Sequence, residues 1–293
     1  MKLQLTIIAL LLSLTATAQN IVLTSDRQED KSVIIRVDKQ GYGRYTLAIK
    51  FKDLDNCDFV PNDSYLIRSS TDLIRLRPID ADSHIGYSYS YRWFYGDVEA
   101  EPDTTFVYRL PVSTQKLTNR RNVVDMYDLY LKNENRLISS SVFDAEPTDT
   151  IYAARKGVVV RIETQTTEQS KSLISTTERA YVTVEHADGS YAFYKMLNPN
   201  AILVEVGQTV YPDTPIGFPW SFEGERYLFF FEVCDYVWTE RGVKAEYQRF
   251  IPLFKTDLGV THLRHGVEYR AVVDDELVER EMTSREKKRR RRQ

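Results

Sequence analysis

The sequence predicts an all-β protein, and three observations indicate this fold class. Most of the chain consists of short runs rich in Val, Ile, Tyr and Phe, many of them alternating as strands do. Gly, Asp, Asn or Pro closes these runs, and no long helical period competes with them. Aromatic residues make up 12% of the chain against only 12 Gly, which favours β-structure with packed cores. The length of 293 residues is enough for about two domains.

Residues 1 to 18 have the composition of a secretory signal peptide. Lys2 precedes an apolar run that ends at Leu14, and the small residues A-T-A end at Ala18. A membrane-spanning helix needs about 20 apolar residues, and Thr and Ser leave this run short. No Cys lies near the cleavage point, so a lipoprotein anchor is not indicated. We therefore predict an exported protein, periplasmic or secreted, that does not span the membrane.

Residues 19 to 113 predict a small β-sandwich, which we interpret as immunoglobulin-like. Alternating runs follow one another at short spacing, with turns at Gly41 and at Asn62-Asp63. One run places aromatic rings at every second position from Tyr87 to Trp93. These rings could stack on sugars or form the sandwich core. Because a period-two stripe is normally the buried face of a strand, the pattern favours the core.

Residues 149 to 233 predict a second set of consecutive antiparallel strands. The pair Asp188-Gly189 lies between two alternating runs, which indicates a tight hairpin. Residues 114 to 140 are the least regular part of the chain, and we interpret them as a linker. Residues 164 to 177 are polar and lack periodicity, so they predict an exposed loop between two strands.

Five short motifs follow one another within this second region. They are A-A-x-x-G-x-V (Ala153 to Val159), V-x-V-x-H-x-D-G (Val182 to Gly189), Y-x-x-L (Tyr194 to Leu197), V-G-x-x-V…I-G (Val206 to Gly217) and F-E-V (Phe231 to Val233). In this order they resemble the lysostaphin/LytM-type zinc metallopeptidases of the M23 kind. The resemblance implies a duplicated hybrid motif β-domain over residues 141 to 270 and a role at the bacterial cell wall.

The sequence departs from this family at the metal site. Active members carry an H-x-H-F-E closing strand, a Y-x-H-L motif and an upstream H-x-x-x-D. The corresponding His positions here hold Leu228, Phe230, Met196 and Ser140, and only Asp144 remains as a candidate ligand. Zinc is bound by imidazole nitrogen, thiolate or carboxylate, which Leu and Phe cannot supply. The resemblance therefore implies a degenerate member with no catalytic residue and no bound metal or other cofactor.

The groove that binds substrate in this family would be remodelled in this chain. Residues 218 to 224 read as a loop with bulky rings where active members have a small, Gly-rich turn. Such rings would either cap the core or form an apolar contact surface for a partner. We take Tyr194, Trp220 and Phe222 as the candidate binding residues.

The Cys and His residues give little further indication of chemistry. Cys57 and Cys234 either form a bridge or are two free buried thiols, and the second reading is the simpler one. His262 and His265 have a spacing that could suit a metal, but the flanking Gly residues argue against a helix there. His186 matches a non-ligand position of the family, and we interpret it as structural.

The end of the chain, residues 271 to 293, predicts a basic tail that is disordered or at most a frayed helix. Residues 285 to 293 hold seven basic residues and one acidic residue, and the rest of the chain then has 32 basic against 41 acidic residues. A segment of this kind has no apolar face to bury. Its charge could hold an anionic envelope polymer or lipid headgroups. Nucleic acid is not an expected partner of an exported protein.

Three functions remain open from the sequence. The first is a non-catalytic LytM-like envelope protein, a pseudoenzyme, that binds peptidoglycan or regulates a wall hydrolase such as an amidase. The second is an active zinc endopeptidase that cleaves peptidoglycan cross-links with Asp144 and further ligands, in which case zinc is the cofactor. The third is a structural envelope interaction protein without wall contact.

Overall fold

Strands form nearly all of the regular structure in the computed structural model, which describes residues 20–59, 62, 64–121, 140–164, 180–222, 226–264 and 266–292. This part of the chain contains 21 strands and two short helices, so the predicted all-β class is confirmed. No helix within it is long and apolar enough to cross a membrane. The predicted signal peptide and most of the loop predicted at residues 164 to 177 lie outside the described residues.

The first six strands form two three-stranded antiparallel sheets that share one hydrophobic core. One sheet has the order β1-β2-β5 and the other β4-β3-β6. Burial alternates along these strands because each has one apolar face. In β2, for example, Val33, Ile35 and Val37 are buried, whereas Arg36 and Asp38 are exposed. An immunoglobulin-like sandwich stays a prediction, and "the sandwich" is used below only as a name for these six strands. The strands are β1 (Ile21–Arg27), β2 (Val33–Lys39), β3 (Tyr45–Asp55), β4 (Ser64–Ile67), β5 (Thr71–Leu76) and β6 (Gly86–Tyr95).

The aromatic stripe of β6 packs against this core. Tyr87, Tyr89, Tyr91 and Trp93 are partly buried on the hydrophobic cluster that both sheets share. The ring of Trp93 meets that of Tyr45 edge to face, with centroids 5.6 Å apart. The interpretation of the stripe as core is therefore confirmed.

The remaining fifteen strands belong to the second domain, and one long strand organises them. β17 has 15 residues and pairs with β9 and β16 along its first part, with β13 in its middle and with β18 along its last part. The fifteen are β7 (Val107–Arg109), β8 (Thr118–Arg121), β9 (Ser141–Ala145), β10 (Ile151–Tyr152), β11 (Gly157–Glu163), β12 (Tyr181–Glu185), β13 (Tyr191–Lys195), β14 (Leu197–Ile202), β15 (Thr209–Val210), β16 (Pro215–Phe222), β17 (Arg226–Glu240), β18 (Lys244–Phe250), β19 (Leu253–Thr256), β20 (Gly259–Thr261) and β21 (Glu268–Tyr269).

The boundary between the domains lies earlier than the predicted residue 113. β7 pairs in parallel with β19 of the second domain. Tyr108 is almost completely buried in the second core, where its ring contacts Phe231 and Phe254. Burial of this aromatic side chain assigns β7 to the second domain. Part of the predicted linker is also structured, because β8 pairs with β9 and β21.

The chain end, which the sequence predicts to be disordered or at most a frayed helix, forms two ordered short helices, α1 (Asp275–Glu279) and α2 (Ser284–Arg290). α2 begins with a capping box, in which Thr283 and Glu286 satisfy each other's backbone N–H groups. Arg155, which is buried, holds the helices through Glu281 at 2.7 Å, and Lys156 holds Glu286 at 2.9 Å. The composition of the segment could not indicate this order, because the residues that anchor it lie more than 120 residues away in sequence.

Candidate functional site

Three positions at which the resemblance described above predicts His come together in one buried cluster. Met196, Leu228 and Phe230 pack with Val142, and each of the four side chains is only 2% exposed. The strand register explains the arrangement, since Phe230 lies opposite Val142 on one side and Lys195 on the other. Leu228 is two residues from Phe230 and so points to the same face of the sheet. We call this group the apolar cluster.

Met196 adopts a backbone conformation that is unusual for its side chain. Its φ angle is +65°, in the left-handed region that bulky residues rarely occupy. Its carbonyl oxygen accepts a hydrogen bond from the backbone N–H of Trp220 at 2.7 Å, which ties β16 to the end of β13. The conformation places the Met side chain in the apolar cluster rather than in the core on the other face of the sheet.

Trp220 and Asp144 flank the apolar cluster. Trp220 lies opposite Leu228 on β16, and Asp144 lies opposite Leu228 on β9. All three side chains therefore share one face of the sheet. Trp220 is half-buried, so part of its indole reaches the surface. It lies within β16, and the predicted loop at residues 218 to 224 is wrong for residues 218 to 222 because these continue the strand.

A buried ionic network lies beside the apolar cluster on the same face. The Glu232 carboxylate accepts hydrogen bonds from Lys195 Nζ at 2.7 Å, from Arg249 Nε at 3.1 Å and from the Ser140 hydroxyl. Burial alone would raise the pKa of Glu232, but the charges of Lys195 and Arg249 outweigh it and hold the pKa below its usual value. Ser140 is thus a hydrogen-bond donor to Glu232, and sequence reasoning did not identify this network.

The residues at the apolar cluster do not fit a zinc ion. Leu and Phe have no lone pair to donate, and a thioether is a poor ligand for zinc. Among the described residues there is no group of three His, Cys, Asp or Glu side chains that could hold a metal. Within the described ranges, Asp144 is therefore not part of a ligand group of the kind that a catalytic zinc site requires.

The same face of the sheet continues into a cavity of 330 Å³ beneath the sandwich. Tyr45 and Tyr95 of the sandwich line one side, and Tyr191 and Phe193 of β13 line the other. Thr183, whose buried hydroxyl has no hydrogen-bond partner, also lines it. This volume is at the lower end of the range for ligand sites, roughly 300 to 1,000 Å³. Sequence reasoning missed the cavity because it forms between segments far apart in the chain.

The candidate binding residues have different positions in the structure. Tyr194 has no exposed surface, and its hydroxyl accepts a hydrogen bond from the backbone N–H of Ala154 at 2.8 Å. Its selection as a binding residue is wrong, because its ring packs in the second core on the opposite face of the sheet. Phe222 ends β16, but its side chain lies outside the described residues. Trp220 alone combines an exposed part with a position beside the apolar cluster.

The remaining Cys and His residues form no further site among the described residues. Cys57 and Cys234 are free thiols, and burial raises the pKa of Cys234 well above its usual range, so it is not a nucleophile. His262 Nδ1 lies 3.2 Å from the carbonyl oxygen of Pro252, and His265 lies outside the described residues.

His186 is buried beside the domain junction in its neutral form. Nδ1 donates to the carbonyl oxygen of Lys156 at 2.8 Å, which leaves Nε2 as a buried acceptor without a partner. Burial, together with the nearby positive charge of Arg155, lowers the pKa of His186 to about 3. The preceding residue, Glu185, pairs with Arg44 of the sandwich. His186 therefore has a structural position, as the sequence suggested.

We expect this histidine to make the fold sensitive to mild acid. The unfolded chain binds a proton at His186 below about pH 6.5, whereas the folded chain does not until about pH 3. The free energy of unfolding should thus fall as the pH drops, by about 2 kcal/mol between pH 7 and pH 5. Urea unfolding at several pH values measures this, and His186→Asn, which keeps the donor to Lys156, should remove most of the slope. An unchanged slope in the variant would contradict the assignment.

Comparisons with known proteins give structural likenesses only. No protein-family model matches the chain, and no curated protein matches it. A zinc containing peptidase from Vibrio cholerae is 10% identical, with a TM-score of 0.30 over 69% of this chain and 74% of that chain. Helicobacter pylori Csd3 is similar in two crystal forms. The hexagonal form is 10% identical with a TM-score of 0.32 over 79% and 70% of the two chains, and the orthorhombic form is 11% identical with 0.31 over 94% and 76%.

Proposed function

We propose that this chain is a non-catalytic, LytM-like protein of the bacterial envelope that binds peptidoglycan or regulates a wall hydrolase such as an amidase. The observation that carries the proposal is the apolar cluster. Three positions at which the resemblance expects zinc-binding or catalytic His hold Met196, Leu228 and Phe230, and their side chains pack together with Val142. Closing a polar site with hydrocarbon favours the fold, since each buried apolar side chain contributes roughly 1.5–3 kcal/mol.

The chemistry of these side chains is incompatible with peptide-bond hydrolysis by a zinc-bound water. That reaction needs about three protein ligands and an open coordination position. The apolar cluster offers no ligand and is closed to water, because each of its side chains is 98% buried. Asp144 lies at its edge, opposite Leu228.

The binding surface in this proposal is the sheet face around the apolar cluster. The indole of Trp220 lies at one end of this face and the 330 Å³ cavity at the other. Aromatic side chains with a polar edge suit contacts with sugars and peptides, because they offer both an apolar face and hydrogen bonds. The ionic network around Glu232 holds the strands between these two ends in a fixed register.

Retention of the purified protein on peptidoglycan sacculi, with and without candidate amidases, tests the proposal. We expect the parent protein to be retained on sacculi or to stimulate an amidase. We expect Trp220→Ala to reduce whichever of these two activities is found at least tenfold. Trp238→Ala is the matched control, because Trp238 is also half-buried but lies on the part of β17 that pairs with β18. If Trp220→Ala keeps both the retention and the stimulation of the parent protein, this surface is excluded as the binding site. Absence of both activities in the parent protein would favour a structural envelope role instead.

Metal analysis separates the proposal from the zinc endopeptidase. We expect purified protein to contain far less than one zinc per chain and to leave sacculi undigested. One tightly bound zinc per chain, lost on chelation together with wall-digesting activity, would overturn the proposal.

A further inference from the structure

Helix α2 has two faces that differ in how their charges are satisfied. On one face Glu286 accepts from Lys156 and from the hydroxyl of Tyr211, at 2.9 Å and 2.7 Å. The neighbouring basic residues on this face have carboxylate partners on the protein body. They are Lys287 and Arg291, which face Glu279, and Arg290, which pairs with Asp213.

The other face of α2 carries four exposed basic side chains, which we call the basic stripe: Arg285, Lys288, Arg289 and Arg292. Their spacing of three, four and seven residues places them along one side of a helix. Arg292 lies in the turn that follows the last helical residue. Within the part of the chain that the structure describes, none of the four makes a salt bridge.

This arrangement is unfavourable for the isolated protein. Like charges three or four residues apart repel one another and destabilise a helix, and the stripe contains several such pairs. The helix nevertheless has a full capping box and is anchored through Lys156. The fold thus holds four cations in a row on a fixed helix without giving them acidic partners. A bound polyanion would supply those partners.

The surroundings of the stripe favour a narrow ligand over a flat one. On the adjacent helix α1, Asp275 and Glu276 pair with Arg290 and Arg280, at 3.9 Å and 3.6 Å, so neither carboxylate is a partner of the stripe. The chain without residues 285 to 293 has 32 basic against 41 acidic residues. An extended anionic membrane surface would be repelled by this acidic remainder of the chain, whereas a single polymer strand can follow the stripe alone. Three of the four cations are Arg, whose guanidinium matches phosphate in a two-point contact.

We propose that the basic stripe of α2 is a docking site for a linear, phosphate-bearing polyanion. Contact is electrostatic, because the apolar residues of this region, Leu277, Val278 and Met282, are buried. Binding should therefore weaken steeply with salt. The site is separate from the sheet face around Trp220, so it stands independently of the proposed function.

Binding of inorganic polyphosphate to the purified protein, followed by calorimetry at about 50 mM and about 300 mM salt, tests the site. Replacing all four stripe residues by Gln should weaken binding roughly 100-fold at the lower salt concentration. The control removes an equal number of positive charges, four, from exposed positions of the sandwich and should weaken binding less than about tenfold. The stripe variant is Arg285→Gln, Lys288→Gln, Arg289→Gln and Arg292→Gln, and the control is Lys50→Gln, Lys52→Gln, Arg68→Gln and Arg77→Gln.

Two results would overturn the proposal. One is an equal loss of affinity in both variants, which would indicate a general charge effect. The other is binding to vesicles of anionic phospholipid without binding to polyphosphate, which would assign the stripe to a membrane surface. The melting temperature of the stripe variant should match or exceed that of the parent, since the replaced side chains are exposed and repel one another.

Discussion

Replacing Glu232 by Ala is expected to lower the free energy of unfolding by about 3–5 kcal/mol. Glu232 is buried, and its carboxylate is the common acceptor for Lys195, Arg249 and Ser140. Removing it leaves the Lys195 ammonium buried without a counter-charge, and that desolvation cost dominates over the lost attraction itself. Urea denaturation monitored by tryptophan fluorescence measures the change.

An exposed ion pair on the neighbouring strand provides the matched control. Glu246 pairs with Lys244 on β18, and 42% and 62% of their side chains are exposed, against 6% for Glu232. Glu246→Ala should therefore cost no more than about 1 kcal/mol. Similar losses for Glu232→Ala and Glu246→Ala would show that the network around Glu232 is solvated rather than buried. Glu232→Gln should fall between the two, because it keeps the shape and one acceptor but loses the charge.

The strand content of this protein was predictable because it depends on local sequence. Alternation in β2 and in the stripe from Tyr87 to Trp93 indicates one buried face for each strand, and the structure has it. Motif order also located the four positions that matter at the site. Leu228 and Phe230 were recognised as apolar replacements, and the register then places them beside Val142 and Met196.

Features that depend on contacts distant in sequence were not predictable. Tyr194 was predicted as a binding residue, yet its side chain lies in the second core, on the other side of β13 from the apolar cluster. The basic tail looked disordered because its composition offers no apolar face, yet Arg155 and Lys156 anchor it through Glu281 and Glu286. In both cases the deciding partner lies elsewhere in the chain, and local composition carries no signal of it.

Replacing Leu228 and Phe230 on β17 by His is expected to weaken the fold rather than to produce an active enzyme. In the double variant Leu228→His, Phe230→His, two imidazoles enter a cluster whose members are 2% exposed. Burying these polar groups among Val142 and Met196 without partners should cost about 3 kcal/mol or more for the pair. The volume-conserving control Leu228→Met, Phe230→Leu should cost less, about 1.5 kcal/mol or below for each change.

The comparison is made by thermal and urea unfolding, with and without added zinc. We expect the His variant to melt well below both the parent and the control. We expect no digestion of sacculi. Two added imidazoles do not supply the open, water-accessible position that a catalytic zinc site needs, because the apolar cluster is closely packed. A His variant as stable as the parent would show that these positions are open to water. The apolar cluster would then not be closed to water, and the proposed function would lose the observation that carries it. A strong zinc-dependent rise in its melting temperature, with Asp144 as the third ligand, would show instead that the strand geometry for metal binding is still intact beneath the apolar side chains.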